Sequence, residues 1–137
     1  MNYSNFYARL YTFLGREGAA FKRIFKFSYT KIYLGVIIFL QISVWLQTLA
    51  VWRRLTGDSA ILHYNIDFGV DLIGSPQDIF YYPVFGLAVA IINVSLAAFI
   101  ARRHDPRLVI HFLLLAAVAF AVFLNLAMLA INFINFR

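Results

Sequence analysis

The residues best suited to chemistry lie in the segment 61–83, between the first two long apolar runs of the chain. His63, Asp67 and Asp71 follow one another at intervals of four residues, so on a helix they would share one face. One imidazole and two carboxylates form a reasonable ligand set for zinc or manganese. These three residues are therefore the candidate metal ligands.

The same segment also fits an extended conformation. Gly69 and Gly74 disfavour a helix, as do the β-branched residues around them. In a strand, the apolar and polar side chains would alternate, which is typical of a short strand or hairpin with one apolar face on the helices. His63 and Asn65 would then form hydrogen bonds within a compact cap. Residues 61–74 are rich in apolar side chains, so we expect them to be ordered and packed on the helix ends.

The sequence offers little support for an enzyme or a resident cofactor. His111, near the start of the third apolar run, is a possible ligand for haem or a metal, but the apolar runs supply no second axial histidine. The chain has no cysteine, no serine–histidine–acid set and no glycine-rich phosphate loop. We therefore expect a non-enzymatic protein with no cofactor.

The composition is typical of a membrane protein. Of the 137 residues, 63% are hydrophobic and 13% charged, whereas soluble domains have about a quarter charged. The runs 32–52, 80–100 and 108–134 lack Asp, Glu, Lys and Arg, and each supplies the roughly 20 apolar residues that a membrane-crossing helix needs. The sequence predicts an all-α membrane protein with three transmembrane helices, an amphipathic N-terminal interfacial helix and a structured extracytoplasmic loop.

Two regions follow from this pattern. Residues 1–30 are aromatic and basic, and their apolar side chains recur at helical spacing, which is typical of a helix lying in the membrane interface. This N-terminal arm is expected to anchor and orient the protein. Residues 31–137 form the predicted three-helix transmembrane domain.

The distribution of basic residues predicts the orientation. Residues 1–31 contain six Lys and Arg and the turn 101–107 contains three, whereas the loop 53–80 has two Lys and Arg against four Asp. The positive-inside rule then places the N-terminus and the turn in the cytoplasm, and the loop and the C-terminus outside. The expected location is a cell membrane, with the lipid bilayer as one partner and no nucleic acid.

Small and amide residues within the spans predict helix packing. Small residues four apart let another helix approach closely, and amides buried in lipid need hydrogen-bond partners. We therefore expect contacts with another membrane protein or within a homo-oligomer at Gly86, Ala90, Asn93, Ala117, Ala121, Asn125 and Asn132.

A short set of residues around the loop forms a pattern: His63, Tyr64, Asn65, Gly69, Asp71, Gly74 and Pro83. Over about residues 50–100, this pattern resembles a domain of unknown function found in small bacterial membrane proteins and in bacteriocin-immunity proteins of the Sdp type. In that domain a proline commonly precedes the His-x-Asn element, whereas Leu62 stands there in this chain. Here Leu72 and Ile73 also separate the aspartate from the following glycine. The resemblance implies a bacterial envelope protein and carries over no activity.

Three functions remain open at this point. The first is a small accessory, structural or immunity-like subunit that packs against other membrane helices. The second is a sensor that binds a metal or another ligand through the extracytoplasmic loop. The third is an oligomeric channel, although the absence of charged residues within the spans gives a pump or transporter little support.

Overall fold

The computed structural model describes residues 7, 18, 22–65, 67, 69–103 and 105–136. Within them lie three long helices, α1 (Ser28–Arg54), α2 (Tyr81–Ile100) and α3 (Arg107–Asn135). A short 3₁₀ helix, Pro76–Phe80, leads directly into α2, so the second apolar segment runs over Pro76–Ile100. All three segments are long and apolar enough to cross a membrane, which confirms that the three predicted runs form helices suited to spanning one.

The first and third helices extend slightly beyond the apolar runs that predicted them. Arg53 and Arg54 form part of the last turn of α1, where positive charge interacts favourably with the helix dipole. Pro106 directly precedes α3, a place where a missing N–H group costs little. The charged residues of these two helices thus lie near their ends, outside the apolar stretches.

The third helix occupies the centre of the bundle and packs along both α1 and α2, which contact each other less extensively. The buried core has two clusters. One joins the start of α1 to the end of α2 and the start of α3, and contains Ile24, Ile37, Ala97, Ala98, Ile110, Leu114 and Ala117. The other lies at the opposite end, and contains Val44, Val51, Ala60, Leu62, Ile79, Leu124, Met128 and Ile131.

A two-stranded antiparallel sheet connects α1 to the 3₁₀ helix. Strand β1 (Ala60–Asn65) pairs with β2 (Gly69–Gly74), with an irregularity in the register on either side of His63. Gly69 follows the turn with a φ of +79°, a conformation that glycine adopts without steric cost. The architecture is thus mostly helical rather than strictly all-α, because the chain reverses direction inside the segment 61–74.

The two ends of the bundle differ in charge among the described residues. We call the end formed by 22–31 and 101–107 the basic end: it carries seven Lys and Arg against one Asp. The hairpin end carries Arg53 and Arg54 against four Asp residues. Most of the predicted N-terminal arm, 1–30, lies outside the described residues, so the interfacial helix stays a prediction.

Candidate functional site

The inner strand of the hairpin packs on the helix ends. Ala60 and Leu62 on β1 are buried, and they belong to the same core cluster as Val51 of α1 and Ile131 of α3. Ile79 of the 3₁₀ helix is fully buried in that cluster as well. Burial of such side chains favours a fixed position for β1, at about 1.5–3 kcal/mol for each fully buried large one.

Two side chains from the helices also hold β1 through its backbone. The side chain of Asn135 in α3 pairs with both backbone groups of Ile61: the Ile61 N–H donates to Oδ1 at 2.9 Å, and Nδ2 donates to the Ile61 carbonyl at 2.8 Å. The hydroxyl of Tyr82 in α2 donates to the Leu62 carbonyl at 2.9 Å. The asparagine therefore occupies the place of a neighbouring strand, because it satisfies a donor and an acceptor of the same residue.

A tight turn follows β2 and leads into α2. Asp78 Oδ2 accepts the backbone N–H of Ser75 at 2.7 Å, within a capping box at the start of the 3₁₀ helix. A Cβ atom on Gly74 would lie 2.6 Å from both Asp78 Oδ2 and Leu62 Cδ1. Close packing therefore requires glycine at position 74, whereas at position 69 the positive φ favours glycine.

The structure brings together two of the three candidate metal ligands. His63 Nδ1 lies 2.6 Å from Asp71 Oδ1, across the hairpin. Asp67 lies at the tip, where its backbone N–H donates to Asn65 Oδ1 at 2.9 Å. In the described part of the chain, no three His, Asp, Glu or Cys side chains converge in a way that could hold a metal ion. The helical spacing that grouped the three residues does not apply, because the segment forms a hairpin.

The hairpin's outer strand presents apolar side chains on the surface. Val70, Leu72 and Ile73 of β2 are 41%, 51% and 62% exposed, and Tyr64 of β1, which pairs with Val70, is 47% exposed. We call these four residues the hairpin patch. Strand β2 has β1 as its one neighbour in the described sheet, so its other edge has no strand paired to it. Apolar side chains at an open edge are typical of a binding surface.

The predicted helix-packing residues mostly contact other parts of the same chain. Gly86, Ala117 and Ala121 are buried inside the bundle. Asn132 Oδ1 accepts from Arg54 at 3.2 Å, and the Arg54 guanidinium lies 4.1 Å from the centre of the Phe136 ring. Ala90 is partly buried against the core cluster at the basic end, and Asn93 Nδ2 donates to the Val89 carbonyl in its own helix.

Amides in the middle of the spans join the helices. Asn125 of α3 accepts a hydrogen bond from Gln47 of α1 at 2.7 Å and donates to the Leu40 carbonyl at 3.2 Å. Buried Gln41 donates to the Pro83 carbonyl of α2 at 2.6 Å. The sequence identified Asn125 as a buried amide in need of a partner, but the partners of these amides lie 42 to 85 residues away and have no signal in the local pattern.

The Gln47–Asn125 contact predicts a measurable coupling. Replacing either residue with Leu leaves the other amide without this partner, so the effects on the free energy of unfolding will be non-additive by roughly 0.6–2 kcal/mol. A double-mutant cycle, measured by unfolding in mixed micelles, gives this value. The pair Gln47 and Asn93 is the control, because Asn93 bonds within its own helix. Additive effects for Gln47 and Asn125 would contradict the prediction.

The His63–Asp71 pair predicts a small effect on stability. His63→Ala removes the contact, but the two side chains are 59% and 39% exposed, so the expected loss is at most about 1 kcal/mol. Thermal unfolding with and without added zinc measures it. A loss of several kcal/mol, or a zinc-dependent gain in stability that His63→Ala abolishes, would show that the pair does more than close the hairpin.

His111 is part of an aromatic cluster at the basic end. Its Nε2 lies 3.0 Å from the Tyr33 hydroxyl, and its ring packs edge-on against both Tyr33 and Tyr29. The Tyr29 hydroxyl donates to the Arg107 carbonyl at 3.3 Å. These contacts join the start of α1 to the start of α3, so His111 takes part in packing the two helices.

The three apolar helices are compatible with a multi-pass membrane protein. No family model, curated protein or solved structure matches this chain. Its function must therefore be argued from the hairpin and the bundle themselves.

Proposed function

We propose that this chain is a small, non-enzymatic membrane subunit, accessory or immunity-like, that binds another polypeptide through the hairpin patch. The observation that carries this proposal is the contrast between the two strands. Strand β1 is held by Asn135 and Tyr82, whereas β2 exposes Val70, Leu72 and Ile73. A fixed strand with an open apolar edge is suited to pairing with an extended segment of a partner.

The rigidity of the hairpin adds to the argument. A two-stranded hairpin alone is at most marginally stable in water, so the contacts that dock β1 are what present β2 in one position. Presentation in one position reduces the entropy that a partner must overcome on binding. The resemblance of the loop to bacteriocin-immunity proteins of the Sdp type supports a bacterial envelope as the setting, and it carries over no activity.

Photo-crosslinking in native membranes tests this function. A benzoylphenylalanine at position 72, on the hairpin patch, is expected to give one dominant protein adduct. The same residue at Ser59, which is exposed at the same end but precedes the hairpin, is the matched control. Ile73→Asp should reduce the adduct from position 72 without preventing membrane insertion. Adducts of equal pattern from positions 59 and 72, or adducts with lipid alone, would contradict the proposal.

The orientation belongs to the same proposal. Seven basic residues at one end, against one acidic residue, support a cytoplasmic basic end and an extracytoplasmic hairpin in a bacterial inner membrane. The third span then brings the C-terminus to the hairpin side, where Asn135 contacts β1.

Cysteine labelling checks the orientation. Because the chain has no cysteine of its own, a single introduced cysteine is the only position of this chain that can react. In intact cells, an impermeant maleimide is expected to label Ser59→Cys at the hairpin end and not Arg103→Cys at the basic end. After cell disruption, both should react. Labelling of Arg103→Cys alone in intact cells would reverse the orientation and place the hairpin patch in the cytoplasm.

A second candidate function is a metal- or ligand-binding sensor. It is favoured by the close, exposed pair of His63 and Asp71, which offers an imidazole and a carboxylate to a ligand at the surface. Elemental analysis of the purified protein distinguishes it from the first proposal. Stoichiometric metal that is lost in His63→Ala would favour the sensor.

A further inference from the structure

A groove runs between α1 and α2 on the outside of the bundle, with a volume of about 420 Å³. Its lining is almost entirely apolar and includes Ile38, Gln41, Trp45, Leu87, Ile91 and Ser95. Both helices are transmembrane segments, so the groove opens towards the hydrocarbon core of the bilayer.

The groove covers one half of the bilayer. On α1 it extends from Leu34 to Trp45, which is about 16 Å of helix and roughly half of a 30 Å hydrocarbon core. On α2 it extends from Leu87 to Ser95, across the middle of that helix.

Towards the hairpin end, contacts between the two segments close the groove. Gln41 donates to the Pro83 carbonyl, and the rings of Trp45 and Trp52 lie 6.2 Å and 5.9 Å from the ring of Phe80, centre to centre. A transmembrane helix of a partner would need the groove between α1 and α2 to stay open along the full length of the two helices. A single acyl chain needs only the depth of one leaflet, so the closed end favours a lipid chain as the occupant.

Two basic residues lie beyond the lining of the groove, towards the basic end. Lys31 precedes Leu34 by about one helical turn and Ile38 by two, so helical register places it on the groove side of α1. Arg102 follows Ser95 by seven residues, and its N–H donates to the Phe99 carbonyl, which continues the helical turn beyond α2. Lysine and arginine at this depth suit the phosphate of a lipid headgroup.

We propose that the groove binds one anionic phospholipid of the leaflet at the basic end. One acyl chain lies between α1 and α2, against Ile38 and Ile91, and the phosphate interacts with Lys31 and Arg102. The lipid fills the space between α1 and α2, each of which packs mainly on α3.

Native mass spectrometry of the purified, delipidated full chain tests the proposal. Phosphatidylglycerol and phosphatidylcholine with the same acyl chains are titrated in a neutral detergent. The wild type is expected to bind one phosphatidylglycerol roughly tenfold more tightly than phosphatidylcholine, since each basic residue near the headgroup favours the anionic lipid. The double substitution Lys31→Gln and Arg102→Gln should remove most of this preference, whereas Arg53→Gln, at the opposite end, should preserve it.

A second variant separates the acyl chain from the headgroup. Ser95→Phe places a large ring on the exposed wall of the groove, and it should weaken binding of both lipids by about tenfold. Val122→Phe adds a comparable ring on an exposed face of α3 and should change neither affinity. Circular dichroism measures helix content and identifies any variant that fails to fold. If Ser95→Phe fails to fold, the double substitution of Lys31 and Arg102 tests the proposal alone. Equal affinities for the two lipids, or dimerisation of the wild type that Ser95→Phe abolishes, would overturn the lipid assignment.

Discussion

Gly86→Leu is expected to destabilise the bundle more than any other single substitution discussed above. A Cβ atom at position 86 would lie 2.6 Å from Leu124 Cδ1 of α3 and 2.9 Å from Gln41 Oε1 of α1. At Gly86, side chains from both other helices therefore lie close to the backbone of α2. Both neighbouring side chains are largely buried, so they have little room to move.

The expected loss is about 1–3 kcal/mol from overpacking, together with damage to the Gln41–Pro83 hydrogen bond. Unfolding by denaturing detergent, followed by the loss of helix content, measures it. Gly35→Leu is the matched control, since a Cβ atom at that exposed position of α1 would meet nothing within 4 Å. Equal stability of the two variants would show that α2 can move away from its neighbours at no cost.

This close contact explains why the small residues could be found from the sequence while their partners could not. The spacing of Gly86 and Ala90 predicts that some helix approaches, but it does not say which one. In the structure, Leu124 and Gln41 of the same chain occupy that approach. The predicted packing contacts are thus largely used within the bundle, which moves the expected surface for a partner towards the hairpin.

The membrane spans were predictable because their signal is local. A helix in lipid must satisfy its backbone groups internally and cover itself with apolar side chains, so each span appears as one run of the sequence. The helices Ser28–Arg54 and Arg107–Asn135 differ from the predicted spans mainly in charged or polar turns at their ends. At these turns the apolar run of the sequence has ended, but the helix continues because its backbone groups still form hydrogen bonds.

The hairpin was only partly predictable. Alternation and glycine content favoured a short strand or hairpin without deciding between them, and the structure has a hairpin in which Asn65 pairs with Gly69. The reversal sets Asp71 beside His63 and leaves Asp67 at the tip. The metal set was inferred from a spacing of four, and that spacing places side chains together only on a helix.

Of these features, the docking of the hairpin on the helices was the least predictable from the sequence. Asn135 lies near the C-terminal end of α3, 74 residues from Ile61, and one asparagine after an apolar run has no distinctive pattern. Its importance arises from geometry: the end of α3 reaches the hairpin because the helix is longer than α2. The last residue of α3 thus helps to hold β1.

Asn135→Leu is accordingly expected to release β1 from the bundle while the three helices stay folded. The substitution removes both hydrogen bonds to Ile61 and leaves its partly buried N–H and carbonyl groups without these partners, at about 1–3 kcal/mol for each group. The two-stranded hairpin has little stability of its own, so amide hydrogen exchange in 60–74 should accelerate by roughly two orders of magnitude. Exchange in the middle of α1 and α3 should be unchanged.

Asn93→Leu is the matched control for this variant. In the wild type, Asn93 Nδ2 donates to Val89 four residues back in its helix, just as Asn135 Nδ2 donates to Ile131, but Asn135 also pairs with Ile61. The difference between the two variants therefore isolates the contact with β1. If the control accelerates exchange in 60–74 as much as Asn135→Leu does, or if neither does, the hairpin is held by the burial of Ala60 and Leu62 and the asparagine contributes little. If exchange rises throughout α1 and α3, the end of α3 stabilises the whole bundle.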